Sequence, residues 1–146
     1  MKKKIMVVLA ILVLATCILS TSAFAAPNAD ANINTTDSVS ETIYIFIGEM
    51  PYEVNKNVIV GYNNTVSGYY VKVLQMALVA VDHQNSDVSC HPGEVDSLFG
   101  ANTYNATKAY QQYNNRLSLL YSGINRIDVD GYCGPATWTS LSLVCH

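Results

Sequence analysis

Val71, Leu74, Leu78 and Val81 recur at spacings of three, four and three, which is the period of one face of an α-helix. Ser67 stands where it can cap that helix. Ala106, Tyr110, Tyr113 and Leu117 repeat the pattern at spacings of four, three and four and predict a second helix. Asn114-Asn115 weakens its end, with Leu117, Leu119 and Leu120 available to extend it, and Ser122-Gly123 marks a break. A third, shorter helix carries Trp138 and Leu141 three apart. His83 to Glu94 reads as loop, punctuated by Asn85-Ser86-Asp87 and Pro92-Gly93. Upstream the pattern changes. Ile43-Tyr44-Ile45-Phe46-Ile47 and the shorter Val58-Ile59-Val60 are β-branched or aromatic runs, separated by a stretch that contains Pro51. They predict two strands of a loose hairpin. A lone hairpin is marginal in water, so this one must pack on the helices or on another chain.

Two of the helices follow the same local pattern. Asp96-Ser97-Leu98-Phe99-Gly100-Ala101-Asn102-Thr103 and Asp130-Gly131-Tyr132-Cys133-Gly134-Pro135-Ala136-Thr137 share one frame: Asp, three residues, Gly, two residues, Thr. The Asp accepts backbone N–H bonds in a tight turn and suits the coming helix N-terminus. Gly100 and Gly134 fall at the N-cap, where lack of a Cβ helps the chain turn. Pro135 falls at the first helical position, which needs no donor. Thr103 and Thr137 fall at the third, within reach of free polar groups in the turn. Phe99 and Cys133 occupy one slot, predicted to be buried.

The first 25 residues read differently. Lys2-Lys3-Lys4, an apolar run from Ile5 to Leu19 and Ala23-Phe24-Ala25 have the form of a secretory signal peptide. Leu14-Ala15-Thr16-Cys17 is a poor lipoprotein box, because Thr precedes the Cys and the apolar run continues past it. Residues 26–40 are polar and read as a flexible leader, 41–66 as a β-rich extension and 67–146 as the helical domain. This division predicts a secreted or wall-associated protein with no stable membrane span after cleavage. The signal segment holds three lysines and no acid, so five of eight basic residues and all eleven acids lie beyond it, a formal charge of −6. An acidic chain without a basic cluster argues against nucleic acid as a partner. All ten tyrosines also lie beyond residue 25, and Tyr with Asn suits sugars or short peptides.

No set of residues reads as catalytic. His83, His91 and His146 have no helical metal-ligand spacing, and Cys90-His91 with His83 matches no familiar zinc motif, so neither metal nor cofactor is expected. Asp96 and Asp130 occupy equivalent turn positions, which favours structural work over acid–base work. Removal of Cys17 leaves three cysteines, enough for one internal bridge. Cys133 sits in the buried slot, and a helix of about ten residues holds Cys133 and Cys145 roughly 15 Å apart at about 1.5 Å per residue. A Cys90–Cys145 bridge is therefore predicted, with Cys90–Cys133 the alternative.

The ordered set of Leu74-Gln75, Asp96 to Thr103, Tyr110-Gln111, and Asp130 to Thr137 followed by Trp138 and Leu141 resembles the peptidoglycan-binding-domain-like family. The resemblance covers roughly Ser67 to Leu143. Ser97 stands where the family has Gly in its first unit, and both inter-helix links are long. The resemblance implies a mainly α fold: a three-helix peptidoglycan-binding-like bundle with two turn–helix repeats, preceded here by the β-rich extension. It implies a secreted, non-catalytic protein that binds peptidoglycan through glycan or stem peptide. The alternative is an accessory or regulatory partner of a cell-wall hydrolase. Tyr104, Asn105, Tyr132 and Trp138 lie beside the turn–helix junctions and are the candidate ligand contacts. Trp138 also fits a core position. Helix N-termini there offer N–H donors, and Arg126 can add a charge-assisted bond. Gln75 and Gln111, at the family's Gln positions, are read as tethers for the loops.

Overall fold

The structure, a computed structural model, describes residues 41–145. The proposed signal peptide, the leader and His146 lie outside the described residues. The elements are β1 (Thr42–Ile47), β2 (Met50–Asn55), α1 (Tyr69–Gln84), α2 (Ala101–Leu117) and α3 (Pro135–Val144). The fold is mainly α, with three helices and one antiparallel hairpin that packs on α1 and α3.

The hairpin is tighter than its sequence suggests. Ile47 pairs with Met50, so the loop is only Gly48-Glu49, and Gly48 has φ 61. Glycine with positive φ at the first loop position is the type II′ pattern, whose twist matches the strands. The second strand is thus Met50–Asn55 and not Val58–Val60. Pro51 disguises it. Lys56 N–H donates to Glu41 O, which makes that pair hydrogen-bonded and, by alternation, makes Phe46↔Pro51 a non-bonded pair. The missing Pro N–H therefore costs the ladder nothing. Ile45 and Val54 are fully buried, while Tyr44 and Phe46 on the opposite face are exposed. Val60, taken as strand, instead bridges Cys133 by a reciprocal backbone pair of 3.0 and 2.9 Å.

In α1, Val71, Leu74, Leu78 and Val81 are all fully buried, with Val73 and Ala77 beside them. Ser67 does not cap the helix. It is held in an isolated bridge to Leu98, and Gly68, at φ 92, takes the N-cap position. In α2, Ala106 and Tyr110 are buried and Tyr113 half-buried, but the buried face also includes Thr103, Thr107, Gln111 and Asn114. Asn114 does not fray the helix. Its Nδ2 donates to Asn125 O at 2.8 Å, and its Oδ1 accepts from Ser140 Oγ, which also meets Tyr110 Oη. Asn115 both donates to and accepts from Ile127. The Asn-Asn pair thus clasps the long link to α3. Leu119 and Leu120 leave the helix in turns, each 75% exposed.

The Gly100 and Gly134 N-caps have φ of −113 and −107, values that any residue adopts, and a Cβ on either would meet nothing closer than 3.9 Å. The expectation that these caps need the absence of a Cβ is therefore corrected. The turns place the constraint elsewhere.

Candidate binding surface

Each turn–helix unit is braced by a glutamine from the preceding helix. Gln75 Nε2 shares its two N–H bonds among Asp96 Oδ1 (2.8 Å), Leu98 O (3.1 Å) and Thr103 Oγ1 (3.1 Å), while its Oε1 accepts Ser97 N–H at 2.9 Å. Gln111 does the same with Asp130 (2.8 Å), Tyr132 O (2.9 Å), Thr137 (3.2 Å) and Gly131 N–H (2.8 Å). In both turns Asp Oδ1 also accepts the N–H two residues on, from Leu98 or Tyr132. The two aspartates therefore hold turns. The Gln75 bond, then the Leu98 N–H, holds the Asp96 carboxyl below its ordinary pKa. Every buried side-chain polar atom among the described residues has a partner.

Tyr104 and Tyr132 are brought together, with ring centroids 6.2 Å apart. Tyr62 completes the group at 5.7 Å from Tyr104 and 5.3 Å from Phe99, and Lys108 Nζ lies 5.6 Å from the Tyr104 ring centre. The tyrosines press on bare backbone. A Cβ on Gly131 would fall 2.3 Å from the Tyr104 ring, and one on Gly61 would fall 1.9 Å from Tyr132. Gly131 also has φ +80. Tyr62 and Gly61 were not among the expected residues. Their one signal is a Gly-Tyr pair that echoes Gly131-Tyr132 across seventy positions.

A shallow groove lies at the head of each of the two helices. The first, of about 410 Å³, is lined by Glu94, Asp96, Leu98 and Asn102 among others. The second, of about 230 Å³, is lined by Ile59, Asp128, Asp130, Tyr132 and Pro135 among others. Each thus carries two carboxylates, which oppose an anion that the helix N-terminus would otherwise attract. Neutral hydroxyl-rich ligands suit these grooves better than a peptide carboxylate.

Trp138 is corrected as a ligand contact. It is fully buried, and its indole N–H donates to Val58 O at 2.9 Å, tying α3 to the segment after the hairpin. Asn105 is exposed on α2. Arg126 is exposed and lines a separate cleft between the α2–α3 link and α3.

The predicted Cys90–Cys145 bridge is not formed. Cys90, Cys133 and Cys145 are all buried free thiols. Cys90 Sγ turns to Leu78 O at 3.5 Å and Cys145 Sγ to Ala77 O at 3.7 Å, so each points at its own α1 carbonyl. Burial pushes both thiols up to about 12, keeping them protonated at neutral pH. Cys133 does share the buried slot with Phe99.

No family model, no curated protein and no solved structure matches this chain.

Proposed function

We propose that this is a secreted, non-catalytic cell-wall-binding protein, related in plan to the peptidoglycan-binding-like modules, with the wall glycan as its ligand. The observation that carries the reading is the row of Tyr62, Tyr104 and Tyr132, part-exposed, with Tyr132 also lining the groove at the head of α3. Aromatic faces cover the apolar face of a sugar ring, and the turns' polar groups meet its hydroxyls. The braces support a binding role over a catalytic one, because they commit Asp96 and Asp130 to the turns. Glycan is favoured over stem-peptide carboxylate by the paired acids in each groove.

Co-sedimentation with purified sacculi, with and without teichoic acid, tests this. The protein pellets at micromolar concentration and changes little with salt. Tyr62→Ala, which removes a side chain with ring contacts only, lowers affinity about tenfold if the ring supplies about 1–1.5 kcal/mol. Circular dichroism checks that the variant is folded. Wild-type protein that stays in the supernatant overturns the reading. The second reading, an accessory or regulatory partner of a wall hydrolase, then leads. It is favoured by Leu119, Leu120 and Tyr121, which are 75%, 75% and 58% exposed in consecutive positions.

A further inference from the structure

The cleft between the α2–α3 link and α3 differs from the two grooves in both wall and charge. Its volume is about 310 Å³, at the small end of ligand-sized pockets of about 300–1,000 Å³. Ile124, Ile127, Pro135, Leu143 and Val144 make much of its wall. The polar side chains of Asn114, Thr139 and Ser140 also line it, but each is already bonded within the protein. Ala136, the exposed Asn125, Lys56 and Arg126 complete the lining, with no Asp or Glu among the described residues joining them.

Charge makes this cleft unusual. Beyond residue 25 the chain has five cations and eleven acids. Lys108 lies against the Tyr104 ring, and Arg116 lies near Tyr113 and donates to Asp87 O. The side chains of Lys56, Lys72 and Arg126 have no partner among the described residues, and two of these three line one apolar cleft. A cation pair beside an apolar wall favours a ligand with an anionic head and a hydrocarbon body. A peptide body fits less well, because its several amides would meet one neutral side chain of the wall, Asn125, not already bonded among the described residues.

We infer that this cleft binds a medium-chain aliphatic carboxylate, its hydrocarbon tail on the Ile124–Ile127–Leu143 wall and its carboxylate held by Lys56 and Arg126. The inference is independent of wall binding, and its test uses no wall material. The purified protein is titrated with sodium octanoate, octanol and acetate while amide signals are followed by two-dimensional NMR. Octanoate gives saturable shifts centred on Ile124, Ile127, Ala136 and Leu143, with a Kd on the order of 0.1–1 mM, as expected for a small ligand with limited contact. Octanol, with the same tail and no charge, binds about tenfold more weakly, and acetate leaves those signals in place. Lys56→Ala and Arg126→Ala each weaken octanoate about three- to tenfold, and the double variant binds octanoate and octanol alike. Both substitutions leave the core untouched, so an unchanged spectrum elsewhere certifies the fold. The inference is overturned if folded protein shows no saturation by about 10 mM octanoate. It is equally overturned if octanol matches octanoate on the wild type, or if the double variant keeps the wild-type preference.

Discussion

The turn from Asp96 to Thr103 and the turn from Asp130 to Thr137 are two copies of one device, and their differences show what the device itself requires. Both are held by a glutamine that reads an Asp, a carbonyl, a Thr and a backbone N–H. Both place a left-handed residue after the Asp: Ser97 at φ 64 and Gly131 at φ 80. The first copy tolerates a side chain there. The second cannot, because the Tyr104 ring lies on the backbone. The residue after that diverges likewise, since Leu98 is 58% exposed whereas Tyr132 is half-buried against Gly61. The brace sets the path of the chain, and the neighbouring aromatics set which side chains the path can carry.

The largest test of this contrast is Gly131→Ala. It places a Cβ 2.3 Å from a ring atom in a left-handed conformation, so it costs about 2–3 kcal/mol in urea denaturation. The matching change in the first copy, Ser97→Gly, should do the reverse. It relieves a left-handed L-residue, about 1–2 kcal/mol, against about 0.5–1 kcal/mol of added chain entropy, so stability holds or rises slightly. A Gly131→Ala protein of wild-type stability would remove the aromatic clamp from the account.

Next come the braces. Gln111→Ala strands a buried Gly131 N–H and should cost about 2 kcal/mol, whereas Gln75→Ala leaves a part-buried Ser97 N–H that water can reach and should cost about 1 kcal/mol. Equal losses would mean that the two copies do not differ in access to solvent.

The smallest effect is electrostatic. Asp96 titrates below its ordinary value because Gln75 and then Leu98 N–H favour its charged form. A depressed folded pKa gives stability that is present above the unfolded value and is lost as pH falls through the folded one. Gln75→Leu should therefore move the Asp96 midpoint upward toward 3.8, read from its carboxyl chemical shift. An unmoved midpoint would show that the Gln75 bond does not favour the ionised carboxylate.

Much of this was legible in the chain. The Val71–Val81 stripe has the spacing of a buried helical face, and it is one. The repeated Asp-to-Thr frame located α2 and α3, because local turn chemistry recurs wherever its residues do. The second strand was not legible: Pro51, Glu53 and Asn55 hide it, and only its pairing with β1 shows that Pro51 sits where no donor is needed.

The candidate surface divides in the same way. Sequence alone determined the helical faces and the two turns, since these depend on neighbours within a few positions. The bracing glutamines, about twenty positions from their turns, are read from the family pattern instead. Tertiary structure decided that Trp138 is core, that Tyr62 joins Tyr104 and Tyr132, and that Lys56 shares a cleft with Arg126. It also decided that Cys90 and Cys145 sit on neighbouring α1 carbonyls as separate thiols. Those outcomes join residues up to eighty positions apart. Periodicity carries no record of such distances, because burial of a side chain depends on the surface that happens to be folded against it.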